Sequence, residues 1–288
     1  GNMITVPTPT EALSWSNLSV DQWANLTVDQ WANLPVDAVA LTTLTATYDA
    51  WNRLVKLTDG SNTVQENAYD ARNYRTVRKD YTNGGLAETR HFYYTDEWQV
   101  LEERLGSSST PDRQFVWGNR YLDDLLLRDR TTTSTLDERL YACQDANWNV
   151  TTLVDTTGAV KERYEYDPYG NTSVLSPTYT SQAASNYAWE ITYAGYRADS
   201  NTALYAVRNR LYQPRLGTWL TRDPYAFLKE TPLYVYVDSS PITLLDTFGL
   251  DAAVYITGYL KPGDAGSHAT VYSEITVPGK SGAPTPAL

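Results

Sequence analysis

Apolar and polar side chains alternate with a period of two over much of this chain. In VKERYEY, Val160, Tyr164 and Tyr166 share one face with Glu162, while Lys161, Arg163 and Glu165 share the other. This is the signature of a half-buried strand. From about residue 45, turn signals interrupt such segments roughly every ten to thirteen residues. They fall at 49–52, 59–60, 70–73, 83–85, 96–97, 106–112, 145–149, 155–158 and 167–170. No segment carries a long apolar stripe at the helical period. The pattern therefore predicts an all-β chain, with an antiparallel meander over 45–175 and little helix.

The turns are of two kinds. Asp59-Gly60 and Asn83-Gly84 are hairpin dipeptides. The others follow a Tyr-Asp pair: YDAWN (48–52), YDARN (69–73) and YDPYG (166–170), with a degraded copy in QDANWN (144–149). In each, Tyr ends a strand and packs on its neighbours, and Asp accepts backbone N–H bonds in an Asx-type turn. Three residues beyond Asp stand Asn52, Asn73 and Gly170, types that tolerate a positive φ.

The first 44 residues follow a different rhythm and are expected to be loop-like. WSNLSVDQ, WANLTVDQ and WANLPVDA repeat with a period of 8, aligning Trp15, Trp23 and Trp31. An inserted surface loop accounts for them, and a Trp-lined ligand platform is the sharper alternative.

Composition narrows the function classes. A net charge of -11 disfavours nucleic acid, whose binding depends on neutralising phosphates with Lys and Arg. Cys143 is the single cysteine, so neither an intrachain disulfide nor a cysteine metal cage is available. The histidines, His91 and His268, stand far apart in sequence and suggest no metal site. A Cys–His nucleophilic pair has no local support. No run is long enough for a transmembrane helix. The opening GNMITVPTPT lacks the pattern of a signal peptide. There are 23 Tyr and 9 Trp but only 4 Phe, which suits half-buried strands whose ring packs while its polar tip reaches a partner.

The YDxx(N/G) units resemble the YD repeats of RHS proteins, bacterial toxin-complex C components and the animal teneurins. The segment Tyr164–Leu250 is more specific. YEYDPYG, YAGYRAD (193–199), ALYAVRNRLYQPRLGTWLTRDP (203–224), LYVYV (233–237) and SPITLLDTFGL (240–250) follow the order of the RHS repeat-associated core domain. The resemblance divides the chain into a partial repeat with the Trp/Asp insertion (1–44), the meander (45–175), the core-associated segment (176–250) and a short variable tail (251–288). Gly1-Asn2-Met3 resembles the end of a further repeat, which implies a parent chain continuing upstream.

The resemblance implies an antiparallel meander forming part of a curved shell, with a β-rich plug closing one end. It implies a C-terminal segment held inside and, in many members, an aspartate-dependent self-cleavage after the final Leu of a DPxGL motif. Here that bond is Leu250–Asp251. The implied partners are the upstream portion of the same shell and the chain's own C-terminal segment. Delivery-machinery proteins and cell-surface glycans are further candidates. The implied location is secreted or cell-surface, and no cofactor is implied.

Matching the motifs residue by residue places the candidate pair at Asp223 (in TRDP) and Asp246 (in LDTFGL). Two carboxylates held close can divide the labour of base and acid. Arg222 is the candidate for orienting a carboxylate or stabilising the oxyanion, and Gly249 permits close backbone approach. The structural alternatives are an Asp246–Gly249 turn and a surface Arg222–Asp223 ion pair before Pro224; Asp238 is a nearby carboxylate with no assigned role. The sequence departs from the family at Thr247, which stands where the motif has Pro, and at Ser239-Ser240 in place of Asn-Asn. Loss of Pro frees φ and restores an N–H, so a looser approach of the scissile bond is expected.

The tail holds two short strand-like stretches and a Pro/Gly/Ala/Ser end, with no catalytic constellation. Any enzymatic role is at most that of an aspartate-dependent autoprotease. An adhesive or carbohydrate-contacting YD-repeat module is the alternative, and a two-carboxylate glycosidase is the least supported reading.

Overall fold

The computed structural model describes residues 4–9, 41–224, 233–250 and 253–255. The Trp repeats, Gly1-Asn2-Met3 and nearly all of the tail lie outside the described residues. One antiparallel sheet takes fourteen strands in strict chain order. These are β1 (Thr5–Pro9), β2 (Leu41–Tyr48), β3 (Leu54–Asp59), β4 (Asn62–Tyr69), β5 (Arg75–Thr82), β6 (Gly85–Tyr94) and β7 (Val100–Leu105). They continue as β8 (Arg113–Trp117), β9 (Leu125–Thr131), β10 (Leu136–Gln144), β11 (Val150–Asp155), β12 (Val160–Tyr166), β13 (Thr172–Leu175) and β14 (Ser181–Gln182). This is the all-β meander that the alternation predicts. The loop-like expectation for 1–44 does not hold at Thr5–Pro9, which pairs along β2 from Thr5↔Thr45 to Pro9↔Leu41.

The Tyr-Asp corners share one geometry. Asp49 Oδ1 accepts from the N–H groups of Trp51 and Arg53 at 3.0 and 2.9 Å. Asp70 Oδ1 does the same for Arg72 and Tyr74, both at 2.9 Å. Asp145 and Asp167 repeat it with Asn147 and Asn149, and with Tyr169 and Asn171. The residue three beyond Asp is left-handed in every case: Asn52 (φ 71°), Asn73 (70°), Trp148 (63°) and Gly170 (90°). The turn expected at 96–97 is anchored one residue earlier. Thr95 Oγ1 accepts from Glu97 and Gln99 N–H, both at 3.2 Å, so a hydroxyl stands in for the carboxylate.

The tyrosine before three of these turns does more than pack. Tyr69, Tyr94 and Tyr166, each closing its strand, donate their hydroxyls to the carbonyls of Leu54, Arg75 and Val150 at 3.0, 2.9 and 2.6 Å. Each acceptor is the first residue of the preceding strand. Trp117 Nε1 does the same for Val100 O at 2.8 Å. A phenylalanine lacks this donor, which accounts for part of the excess of Tyr over Phe.

Residues 189–224 and 233–250 cover one face of the meander. They carry a second sheet, β15 (Arg197–Asp199), β16 (Leu204–Val207), β17 (Arg210–Gln213) and β18 (Thr218–Trp219), and then β19 (Leu244–Asp246) paired with β20 (Ala253–Tyr255). Apolar clusters join the two layers. Leu44, Leu54 and Leu57 pack with Leu204, Leu211 and Leu220, and Phe92, Val100, Phe115 and Leu153 pack with Trp189 and Ile191. A buried ion-pair network also joins the layers. Arg75 and Arg78 of β5 reach Asp199 at 2.5 and 3.0 Å, and Arg78 reaches Glu190 at 2.9 Å. Arg197 in turn reaches Glu103 of β7 at 2.7 Å. Burial alone would raise the carboxyls of Glu190, Asp199 and Glu103, but the surrounding guanidinium groups overcome it. They hold all three below the usual carboxylate range, Glu190 well below.

Candidate active site

The site forms where the segment Asp246–Leu250 leaves β19. Gly249 is left-handed (φ 65°), and its N–H points to Asp246 O at 3.4 Å. Leu250 N–H donates to Asp246 Oδ1 at 3.0 Å. A Cβ at Gly249 would stand 2.8 Å from Val207 O, so the close approach requires glycine. Beyond the turn, Asp246 pairs with Ala253. In chain order the Leu250–Asp251 bond therefore falls between two paired strands.

Three successive residues at the β16–β17 hairpin hold three successive carbonyls of this segment. Val207 pairs with Arg210, leaving Arg208-Asn209 as the two-residue turn. Arg208 Nη1 donates to Thr247 O. Asn209 donates to Phe248 O through its backbone N–H (3.3 Å) and its Nδ2 (3.0 Å). Arg210 Nε donates to Gly249 O at 2.5 Å.

Arg210 also joins the two candidate carboxylates. Its Nη2 lies 3.1 Å from Asp223 Oδ2 and 3.0 Å from Asp246 Oδ2, and all three side chains are 1% exposed or less. The guanidinium stacks over Trp219 at 4.1 Å. The structure thus brings Asp223, Asp246 and Gly249 together around Arg210. Neither structural alternative stands by itself: Asp246 and Gly249 do form a turn, but Asp223 is buried rather than a surface ion-pair partner.

Arg222, expected to orient a carboxylate, is exposed. It lines an open groove of about 670 Å³ with Trp51, Arg53, Asp70 and Leu250. The guanidinium between the carboxylates belongs to Arg210, which sequence reasoning missed. No signal in the chain marked it: all four residues of β17 are buried, so alternation gives Arg210 no face of its own.

Thr247 does not leave the segment loose. It is buried, its Oγ1 shares a hydrogen bond with Tyr121 OH, and its carbonyl is held by Arg208. Asp238 is exposed in a turn at Val237–Ser239. Cys143 and His91 sit on β10 and β6, four strands or roughly 19 Å apart, and so form no pair; His268 lies outside the described residues. Among the described residues no cluster of metal-ligating side chains occurs. None of their helices is long and apolar enough to cross a membrane.

No protein-family model matches the chain. Among curated proteins, the tRNA3(Ser)-specific nuclease WapA of Bacillus spizizenii is 28% identical over 185 residues, 63% of this chain and 7% of that protein. The toxin subunit YenC1 of Yersinia entomophaga is 38% identical over 97 residues, 34% of this chain and 10% of that protein. Among solved structures, the crystal structure of TcdB2-TccC3-Cdc42 superposes with a TM-score of 0.55 at 22% identity, covering 72% of this chain and 10% of that one. The Photorhabdus luminescens Tc holotoxin pore gives 0.56 at 21%, with the same coverage. The chain thus spans a tenth or less of the length of these relatives.

Proposed function

From the premise that the chain is an RHS-type, YD-repeat protein, we propose that it is the closing part of a shell that encloses its own C-terminal segment and severs the Leu250–Asp251 bond. The observation that carries this reading is Arg210. It grips Asp223, Asp246 and the Gly249 carbonyl at once, one residue before the proposed cut. Asp246 is already bonded to the N–H of Leu250, whose carbonyl is the one to be attacked.

The chemistry is amide hydrolysis. A water adds to the Leu250 carbonyl carbon and gives a proton to one carboxylate. The other, which carries the one proton the pair shares, protonates the Asp251 nitrogen as the C–N bond breaks, leaving a Leu250 carboxylic acid and an Asp251 amine, which then ionise to carboxylate and ammonium. Arg210 holds the pair in place and fixes the peptide on the amino-terminal side of the bond. The domain boundaries at 44/45, 175/176 and 250/251 belong to this reading: repeat, wall, plug and cargo tail.

Mass spectrometry of the purified chain tests the proposal. The expected species end at Leu250 and begin at Asp251, and an intact mass after prolonged incubation rejects cleavage. The enclosed segment, the upstream shell and delivery-machinery partners follow from the same premise, as does a secreted or cell-surface location. A glycan-contacting role has less support, because the strand-closing tyrosines use their hydroxyls on backbone carbonyls.

A further inference from the structure

The meander touches the cleavage segment through the loop between β8 and β9. Tyr121 OH shares a hydrogen bond with Thr247 Oγ1, across 126 residues of sequence. The Tyr121 ring is stacked on Trp148 of the third Tyr-Asp-type corner, with centroids 4.7 Å apart and planes 14° from parallel. Asp123, from the same loop, is 4% exposed. Its Oδ1 lies 2.7 Å from Arg208 Nη2, and Arg208 Nη1 holds Thr247 O. Gly195 leaves the room that Asp123 occupies, since a Cβ there would stand 2.5 Å from Asp123 Cβ.

The side-chain oxygen and the carbonyl oxygen of Thr247 are therefore both tied to one loop of the wall, the first directly and the second through Arg208. Thr247 is an ordinary residue with two soft backbone torsions. A rotation there swings Phe248, Gly249 and Leu250 away from Arg210 and the carboxylates. Holding both oxygens removes that freedom.

We infer that Tyr121 and Asp123 are positioning residues for the cut. Acting on Thr247, they aim Leu250 at the carboxylate pair only once wall and plug have docked. This rests on the self-cleavage reading above. Neither residue touches the bond itself. The wall loop and the cleavage segment are remote in sequence, so the aim is set by assembly of the two layers rather than by the segment alone.

The test uses the full chain with Tyr121→Phe, Thr247→Val, the two combined, Asp123→Asn and Thr247→Ser. Cleavage after Leu250 is timed by pulse-labelled synthesis. Amide exchange at 248–250 is followed with Asp223→Asn added to keep the chain whole. Loss of the hydroxyl pair is expected to slow cleavage about tenfold, the scale of one hydrogen bond. Tyr121→Phe, Thr247→Val and their combination should show the same loss, because they remove one shared interaction. Asp123→Asn should also slow the cut, while Thr247→Ser, which keeps the hydroxyl, should stay near the parent. Exchange should rise at 248–250 and nowhere else.

Parental rates and exchange in both Tyr121→Phe and Thr247→Val overturn the inference. If the parent chain is never cut, the proposed function fails, and the exchange arm alone decides the clamp: a local rise supports it and no rise rejects it. If Tyr121→Phe raises exchange throughout the fold, Thr247→Val against Thr247→Ser carries the same decision.

Discussion

Asp246 accepts the backbone N–H of Leu250 through Oδ1 at 3.0 Å while its Oδ2 faces Arg210 Nη2 at the same distance. One carboxylate thus orients the peptide at the proposed cut and joins it to the second carboxylate through a shared guanidinium. Asp246→Asn keeps an oxygen for Leu250 but removes the charge and the proton acceptor. It should lower cleavage by at least about a hundredfold, as loss of a general acid or base does, with thermal stability close to the parent. Asp223→Asn should do the same. Cleavage by either variant at the parental rate, read by intact mass, would remove that residue from the mechanism.

Arg210 makes its contacts through a planar fork, with Nε on Gly249 O and Nη2 on both carboxylates. Lysine offers a point charge that cannot reproduce the fork. Arg210→Lys should therefore abolish cleavage, whereas Arg222→Lys, at an exposed position, should leave it unchanged. Equal effects of the two would sink the assignment of Arg210.

The hydroxyl of Tyr166 donates to Val150 O at 2.6 Å. Tyr166→Phe should cost about 1 kcal/mol in chemical denaturation, the net worth of such a bond. Tyr93→Phe, at a ring that is 46% exposed, should cost little. A loss at Tyr166 no larger than that at Tyr93 would mean that the corner hydroxyl bond adds nothing to stability.

Arg78 is 2% exposed and contacts Asp80, Glu190 and Asp199. Arg78→Leu leaves those carboxylates short of a counter-charge in a dry interface. The expected cost is about 3–5 kcal/mol, measurable as a lower denaturation midpoint. A loss below about 1 kcal/mol, the range of exposed pairs, would show that the network is not desolvated.

The same network sets an acid limit. The folded-state pKa values of Glu190, Asp199 and Glu103 lie below their ordinary values. Their contribution is thus complete above the unfolded carboxylate range of about 4 and is lost as pH falls through the folded values. Asp80 and Asp123, raised by burial, act with the opposite sign against the strongly depressed Glu190. The melting temperature should stay level from about pH 7 to 5 and drop below about pH 4. A melting temperature that rises on acidification would refute this account of the interface.

The corners were legible in the chain because they are local. Asp49, Asp70, Asp145 and Asp167 bond N–H groups two and four residues ahead. Five consecutive residues therefore contain the whole turn, and its repetition dictates a meander. Asp223, Asp246 and Gly249 could be matched from their motifs, but Arg210 could not be assigned its part. Its bonds to Gly249 and Asp246 span 39 and 36 residues, and nothing in RNRLYQ encodes which carboxylates will meet it.

The alternation of side chains and the Asx geometry of Tyr-Asp are short-range properties of the backbone, so the amino-acid order alone dictates strands, corners and an all-β wall. Which buried arginine faces which carboxylate depends on docking one layer on another. Arg78 meets Glu190 across 112 residues and Tyr121 meets Thr247 across 126. A charged or hydroxylated side chain at an inward position reads as polar until its partner arrives from elsewhere in the chain. Desolvation then turns that pair into the contact that aligns the two layers.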